Sequence, residues 1–200
     1  MQRSLWSLPL FVGLLLFQQT PALADIVTVI NFDDLNDSDI VTNQYPGLTF
    51  SNTIVLSAGI SLNEFEFPPH SGSNVVSDNG GPISILFSSP VLTFAGYFTY
   101  EEPLTLAAFD GIDDQVATAT SAFSSNDALF GDPGSSPDEF LEVSFASGIS
   151  GVTITGDPAG GSFVMDDATV QTANAPEPES IFLLLSGAVA AFTLRRKPLS

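Results

Sequence analysis

The sequence contains no cysteine, and its basic residues are confined to the two ends of the chain. Without cysteine the protein has no disulfides, no zinc–thiolate site, no thiol nucleophile and no lipid attached through a cysteine. The basic residues are Arg3, Arg195, Arg196 and Lys197. Of the 23 acidic residues only Glu177 and Glu179 lie beyond residue 175, so residues 25–175 hold 21 carboxylates and no Lys or Arg.

This imbalance of charge excludes some partners. Nucleic acid is excluded, because its affinity for proteins comes from cationic side chains that neutralise phosphates. Anionic lipid headgroups are unfavourable for the same reason. No carboxylate of residues 25–175 can pair with Lys or Arg, so each must stay in water, accept backbone hydrogen bonds, become protonated or bind a cation. Most are expected to form a solvated surface that keeps the protein soluble.

The N-terminus has the three parts of a secretory signal peptide. Arg3 supplies a positive charge, residues 8–17 form a short apolar run, and Ala22 and Ala24 are the small residues at a cleavage site. We predict that residues 1–24 are a signal peptide removed after Ala24. The alternative is an uncleaved membrane anchor, but the apolar run is shorter than the ~20 residues that a membrane span needs.

The C-terminus combines a proline motif, an apolar stretch and a basic tail. Pro176, Glu177 and Pro178 end the preceding structure, and residues 181–194 are apolar. Arg195, Arg196 and Lys197 would stay on the cytoplasmic side of a membrane. We therefore predict a linker over 172–180 and a transmembrane helix with a basic tail over 181–197. A buried helix of a soluble core is the alternative, and the three adjacent charges argue against it.

These C-terminal residues resemble the PEP-CTERM protein-sorting signal, which is also labelled an ice-binding-protein C-terminal domain. The resemblance covers about residues 175–197. It implies recognition by an exosortase-type membrane protease that cuts near the Pro-Glu-Pro motif. It also implies that the protein reaches the cell envelope, surface or extracellular matrix of a Gram-negative bacterium that makes extracellular polysaccharide. The run from Phe182 to Leu185 is bulkier than the Gly-rich helices common in that family.

The middle of the chain has the pattern of an all-β domain. Short apolar or alternating runs rich in Val, Ile, Thr and Phe are separated by clusters of Gly, Pro, Asn and Asp. The expected strands are 26–32, 48–51, 54–57, 83–87, 91–99, 104–109, 140–145, 151–155 and 162–171. No earlier stretch has a sustained helical stripe of apolar residues. Residues 25–171 are therefore predicted to form an antiparallel two-sheet sandwich of the jelly-roll type.

Paired aspartates occur near both ends of this domain. Asp33 and Asp34 follow the first expected strand, and Asp166 and Asp167 lie in the last. This pattern resembles secreted jelly-roll domains related to carbohydrate-binding modules, in which acidic residues near the two termini can hold a structural Ca²⁺ ion. Carboxylate oxygens are the ligands that Ca²⁺ prefers. The resemblance implies a calcium site formed by these four residues; the alternative is that they cap turns and face water.

Catalytic motifs are nearly absent, and no catalytic residue is predicted. His70 lies in a turn-like stretch and is interpreted as a bystander. Glu64 and Glu66 would share one face of a strand, as a carboxylate pair for glycoside hydrolysis requires, with Phe65 and Phe67 directed to the core. Neighbouring acidic residues at the surface often have this spacing, so the pair only permits a glycoside hydrolase as an alternative function.

Aromatic platforms for sugar binding are few in the sequence. The only Trp, Trp6, would leave with the signal peptide. Leu92, Phe94, Phe98 and Tyr100 alternate toward the core, which places Tyr97 on the opposite, outer face. We predict a non-catalytic exported protein whose β-sandwich binds extracellular polysaccharide through residues that the sequence does not identify. Ice or mineral binding is a third alternative, weakened by the lack of a regular Thr-x-Thr array.

Overall fold

A computed structural model describes residues 25–173 of the chain, and nine β-strands make up its regular structure. They are β1 (Ile26–Ile30), β2 (Leu48–Ser51), β3 (Thr53–Ser57), β4 (Asn74–Asp78), β5 (Ile83–Tyr100), β6 (Thr105–Phe109), β7 (Gln115–Thr120), β8 (Glu139–Thr155) and β9 (Phe163–Thr172). Every pairing between these strands is antiparallel. Within this range no helix is long and apolar enough to cross a membrane. The predicted signal peptide, Pro-Glu-Pro motif, transmembrane helix and basic tail lie outside the described residues.

Two long strands fold one continuous sheet into two layers. β5 and β8 pair along most of their lengths, with register shifts between Leu86 and Thr93. The first layer contains β2, residues 83–87 of β5, residues 149–155 of β8, β6 and β7. The second layer contains residues 139–144 of β8, residues 93–100 of β5, then β9 with β1, β4 and β3.

Alternation along the strands builds one hydrophobic core between the layers. The first layer contributes residues such as Ile85 and Ile154, and the second contributes Phe94, Phe98 and Met165, all fully buried in one cluster. Side chains at alternate positions of a strand point to opposite faces, so the residues between these ones form the two outer faces of the sandwich. The predicted all-β antiparallel sandwich is confirmed.

The first and last strands lie side by side. Ile30 of β1 pairs with Ala168 of β9, and the pairing runs to Ile26 opposite Thr172. The adjacency of the terminal strands, expected for a jelly roll, is therefore present. Tyr97 lies on the outer face as predicted, and Phe94, Phe98 and Tyr100 are core residues. Leu92 is only partly buried.

The structure differs from the predicted strands in two ways: it joins runs that were predicted as separate strands, and it contains two strands that were not predicted. The runs 83–87 and 91–99 are one strand, and so are 140–145 and 151–155. β4 was not predicted, because it begins and ends with Asn74 and Asp78. Both polar side chains are buried and hydrogen-bonded, which a sequence pattern does not show. β7 was also missed, since its six residues include no large apolar side chain beyond Val116.

Candidate functional site

The segment between β3 and β4, residues 58–73, is fastened to the rest of the domain by carboxylates. Asp33 Oδ1 accepts hydrogen bonds from the backbone N–H groups of Ser73 (2.8 Å) and Asn74 (3.0 Å). Gly72 lies directly against this carboxylate: its φ is 54°, and a Cβ added there would come within 1.7 Å of Asp33 Oδ2. This contact requires glycine at position 72.

Asp166 and Asp167 hold the same segment from the other side. β9 shifts register against β5 here, because Ala95 pairs with Thr169 but Tyr97 pairs with Asp166, and Asp167 has a φ of 46°. The extra residue of such a bulge redirects the side chains around it. Asp166 Oδ2 accepts the Ser71 N–H at 2.8 Å. Asp167 contacts His70 Nδ1 at 2.8 Å and accepts the Ser71 Oγ–H at 2.9 Å.

These contacts show where the four predicted calcium ligands lie. The structure brings Asp33, Asp166 and Asp167 to residues 70–74, where their oxygens accept hydrogen bonds. Asp34 is directed elsewhere and accepts the Tyr45 Oη–H at 2.6 Å. Within residues 25–173 no three His, Asp or Glu side chains are grouped so that they could hold a metal ion. Calcium binding stays a prediction.

Burial of Asp166 shifts the pKa of its carboxyl group. Only 2% of the residue is exposed, and loss of hydration raises the pKa of Asp166 to about 6. The N–H groups of Ser71 and Asp167 oppose that rise, while the charges of Asp167 and Asp33 add to it. Burial also raises the pKa of Asp138, which the charge of nearby His70 lowers in part.

Three aromatic side chains, His70, Tyr97 and Phe140, form a patch beside this cluster; we call it the aromatic patch. The His70 and Tyr97 rings are stacked, with centroids 3.5 Å apart and planes 9° apart. Tyr97 and Phe140 are cross-strand neighbours with ring centroids 5.2 Å apart. Phe140 is 49% exposed, and the His70 side chain is 35% exposed. His70, interpreted from the sequence as a bystander, is therefore part of an organised surface.

Polar side chains continue the outer face of the second layer away from the aromatic patch. The strand register places Val29, Thr169, Ala95 and Glu142 in one row across the sheet. The next row is Val27, Gln171, Thr93 and Ser144, in which the Thr93 and Ser144 hydroxyls lie 3.1 Å apart. Adjacent strands are about 4.8 Å apart, so each row spans roughly 14 Å. The face combines apolar, hydroxyl, amide and carboxylate groups.

Glu64 and Glu66, the carboxylate pair considered for the alternative of a glycoside hydrolase, do not share a strand. Residues 63–67 form a turn rather than a strand, because the Asn63 carbonyl accepts the N–H groups of Glu66 and Phe67. Glu64 then accepts the Gly59 N–H at 3.2 Å, and Glu66 accepts the Asn63 amide at 2.7 Å. Phe65, expected in the core, is 74% exposed, although Phe67 packs on a small hydrophobic cluster. The prediction of a shared strand face was wrong.

Phe140 was not identified from the sequence, although its signal is visible there. In the run Phe140-Leu141-Glu142-Val143-Ser144, the buried residues are Leu141 and Val143. Phe140 therefore alternates in phase with Glu142 and Ser144, the outward residues. A large aromatic residue in the outward phase of a strand marks a candidate contact surface.

Comparison with known proteins gives no family for this chain. No family model matches it, and no curated protein matches it. Among solved structures it is similar to the K2 cleaved adhesin domain of Lys-gingipain, with 14% identity over 74% of this chain and 98% of that chain and a TM-score of 0.49. It is also similar to a family 29 carbohydrate-binding module complexed with cellulohexaose, with 13% identity over 74% of this chain and 92% of that chain and a TM-score of 0.43.

Proposed function

We propose that this domain is a non-catalytic β-sandwich that binds extracellular polysaccharide through the outer face of its second layer. The observation that carries the proposal is the exposed aromatic patch, followed along the same face by hydroxyl, amide and carboxylate groups. An aromatic ring can pack on the apolar face of a sugar ring while polar neighbours bind its hydroxyls. Phe140 offers the most accessible ring for this contact.

The negative charge of the domain limits which polysaccharides it can bind. Residues 25–173 contain no Lys or Arg, and Asp138, Glu142 and Asp167 lie on or beside the binding face. A polysaccharide rich in uronate or sulfate would be repelled by these carboxylates, with no Lys or Arg of the described residues to offset the repulsion. The proposed ligand is therefore an uncharged or cationic polysaccharide.

Replacing Phe140 tests the proposal. Phe140→Ser should weaken binding to an uncharged polysaccharide such as a β-glucan about tenfold, which corresponds to about 1.4 kcal/mol of lost binding free energy. Phe140 is half exposed on its strand, so the variant should fold. Binding is measured by affinity electrophoresis across a panel of uncharged and anionic polysaccharides.

A matched control is Ile112→Ser, since Ile112 is 78% exposed in the loop between β6 and β7 of the first layer, on the other side of the sandwich. It should bind as the unchanged protein does. Equal binding by Phe140→Ser, or binding confined to anionic polysaccharides, would contradict the proposal. The glycoside hydrolase alternative predicts release of reducing sugar that is lost in a Glu64→Gln, Glu66→Gln double variant.

We further propose that the protein is exported and sorted to the cell envelope through its C-terminal signal. Support comes from the order of Pro176-Glu177-Pro178, apolar stretch and Arg195-Arg196-Lys197, together with the N-terminal signal sequence. An exosortase-type protease should remove the apolar helix, and a signal peptidase should leave Asp25 as the N-terminus. Intact mass spectrometry of the exported protein checks both cuts. A mature protein that retains residues 181–197 would instead be anchored in the membrane by its C-terminus.

A further inference from the structure

A cleft opens on the outer face of the first layer, on the side of the sandwich opposite the aromatic patch. The strand register aligns Leu86, Gly151 and Phe109 in one row across β5, β8 and β6. Gly151 has no side chain, so Leu86 can lie against its backbone; a Cβ added at Gly151 would lie 3.0 Å from Leu86 Cδ2. The cleft has a volume of about 330 Å³, within the range of small-molecule sites.

The cleft has apolar walls and polar neighbours at its edges. Leu86 is 60% exposed, and Phe109 is half-buried. The hydroxyl residues Ser84 and Thr153 line it from the next row along the strands. Such a mixture suits a ligand ring that has an apolar face and polar groups around its rim.

Two carboxylates, Asp110 and Asp113, line one side of the cleft and are held there by a tight loop. Asp110 Oδ1 accepts the N–H groups of Ile112 (2.9 Å) and Asp114 (3.1 Å). Asp113 has a φ of 64°, and its N–H donates to the Asp110 carbonyl at 3.3 Å. The described part of the chain contains no Lys or Arg that could neutralise these two groups. A cationic group on a ligand would supply the missing charge.

We propose that this cleft binds an amino-sugar residue of a polysaccharide that carries free amino groups. The apolar face of the sugar ring packs between Leu86 and Phe109, its hydroxyls meet Ser84 and Thr153, and its ammonium group pairs with Asp113 and Asp110. The inference rests on the proposed function, that the domain binds polysaccharide, and adds a second site with its own ligand chemistry. With a site on each outer face, one molecule can hold two polysaccharide chains.

The test uses the full chain and two defined probes, a hexamer of glucosamine and the same hexamer fully N-acetylated, titrated calorimetrically at pH 5.5. The glucosamine hexamer should bind at least about tenfold more tightly than the acetylated one. Asp113→Asn should remove most of this difference while tolerating the positive φ, since Asn adopts that conformation readily. Leu86→Thr should weaken binding of the glucosamine hexamer to a similar extent.

Ile112→Thr is the matched control, because Ile112 is 78% exposed in the same loop but does not line the cleft. It should bind the glucosamine hexamer as the unchanged protein does. Equal binding of the two hexamers, or unchanged binding by Asp113→Asn and Leu86→Thr, would overturn the inference. The difference in affinity between the two hexamers distinguishes the two sites: Phe140→Ser should weaken the binding of both hexamers alike and keep that difference, and loss of the difference in Phe140→Ser would assign the amine-binding site to the aromatic patch instead.

Discussion

Asn126→Ala is expected to lower the free energy of unfolding by about 3–5 kcal/mol, because two buried backbone groups and a third, partly buried one lose their partners at once. Asn126 is fully buried. Its Oδ1 accepts the Tyr100 N–H at 2.7 Å, and its Nδ2 donates to the carbonyls of Phe98 (2.9 Å) and Ser136 (3.1 Å). The side chain thus replaces a neighbouring strand at the end of β5. Thermal melting should show a midpoint lower by on the order of 10 °C.

Asn126→Asp separates hydrogen bonding from packing. The carboxylate of Asp keeps the shape of the Asn126 side chain but has no donor for the Phe98 and Ser136 carbonyls. The substitution should therefore destabilise the domain at pH 7.5. It should destabilise it less at pH 5, where protonation of the carboxylate restores one donor. The exposed Asn79→Ala is the control and should leave the midpoint nearly unchanged. A shift of less than about 1 kcal/mol in Asn126→Ala would show that these backbone groups find other partners.

The domain is expected to be more stable at pH 5 than at pH 7.5, with Asp166 as the main cause. Burial raises the pKa of Asp166 to about 6 in the folded state, whereas the unfolded chain has the ordinary value of 3.8. The folded state therefore binds the proton more tightly. The resulting stabilisation is complete below about pH 3.8 and is lost as the pH rises through 6, and it is worth at most about 3 kcal/mol.

Other carboxylates add to this trend or oppose it. Burial also raises the pKa values of Asp78, Asp138 and Glu101, whereas hydrogen bonds lower those of Asp37 and Asp127. Asp166→Asn keeps an oxygen that can accept the Ser71 N–H and removes the titrating group, so the difference in midpoint between pH 5 and 7.5 should shrink. Asp114→Asn, in an exposed loop, should leave that difference unchanged. Stability that increases from pH 5 to 7.5 would contradict the assignment.

Thermal unfolding at the same two pH values also tests the prediction that the domain binds calcium. An ion bound by Asp33, Asp166 and Asp167 would require ionised carboxylates, so calcium should raise the midpoint at pH 7.5 more than at pH 5. A ligand at a hundredfold excess over its dissociation constant adds about 2.7 kcal/mol, which is several degrees here. Equal midpoints in calcium and in a chelator would show that hydrogen bonding to Ser71, Ser73 and Asn74 is the whole role of these carboxylates.

Alternation of apolar and polar residues predicted the fold class because a strand in a sandwich is buried on one side only. It could not predict that β5 and β8 run through both layers. Pro90 and Gly148 look like strand ends in the sequence, yet a Cβ at Gly148 would lie 2.7 Å from Pro90 Cβ. Instead, Pro90 of β5 contacts Gly148 of β8, and both strands bend there from one layer into the other. A sequence pattern does not show this contact between two strands.

The candidate sites were less predictable, since each needs residues from distant parts of the chain. The pairing of β1 with β9 brings Asp33 near Asp166. The sequence analysis predicted this proximity only from the presence of an Asp-Asp pair near each end of the domain. The contacts of Ser71 and His70 with those residues depend on how the β3–β4 segment turns back. The alternation at Glu64–Phe67 was misleading, because Asn63 initiates a turn there. The cleft at Gly151 requires the register of three strands.

The pairing of β1 with β9 also determines the order in which the chain can fold. β1 begins at Ile26, and its partner β9 ends at Thr172, so the first strand of the domain has no neighbour until almost the last residue of the domain is available. β9 also lies between β4 and the second half of β5, so the β3–β4 pair joins the rest of the sheet only when β9 is present. Contacts between such distant segments form slowly, because a long loop must close first. A chain that emerges from its N-terminus must therefore remain incomplete until β9 appears, and a chain truncated before β9 lacks the strand that joins β1 and β4 to β5 in the second layer.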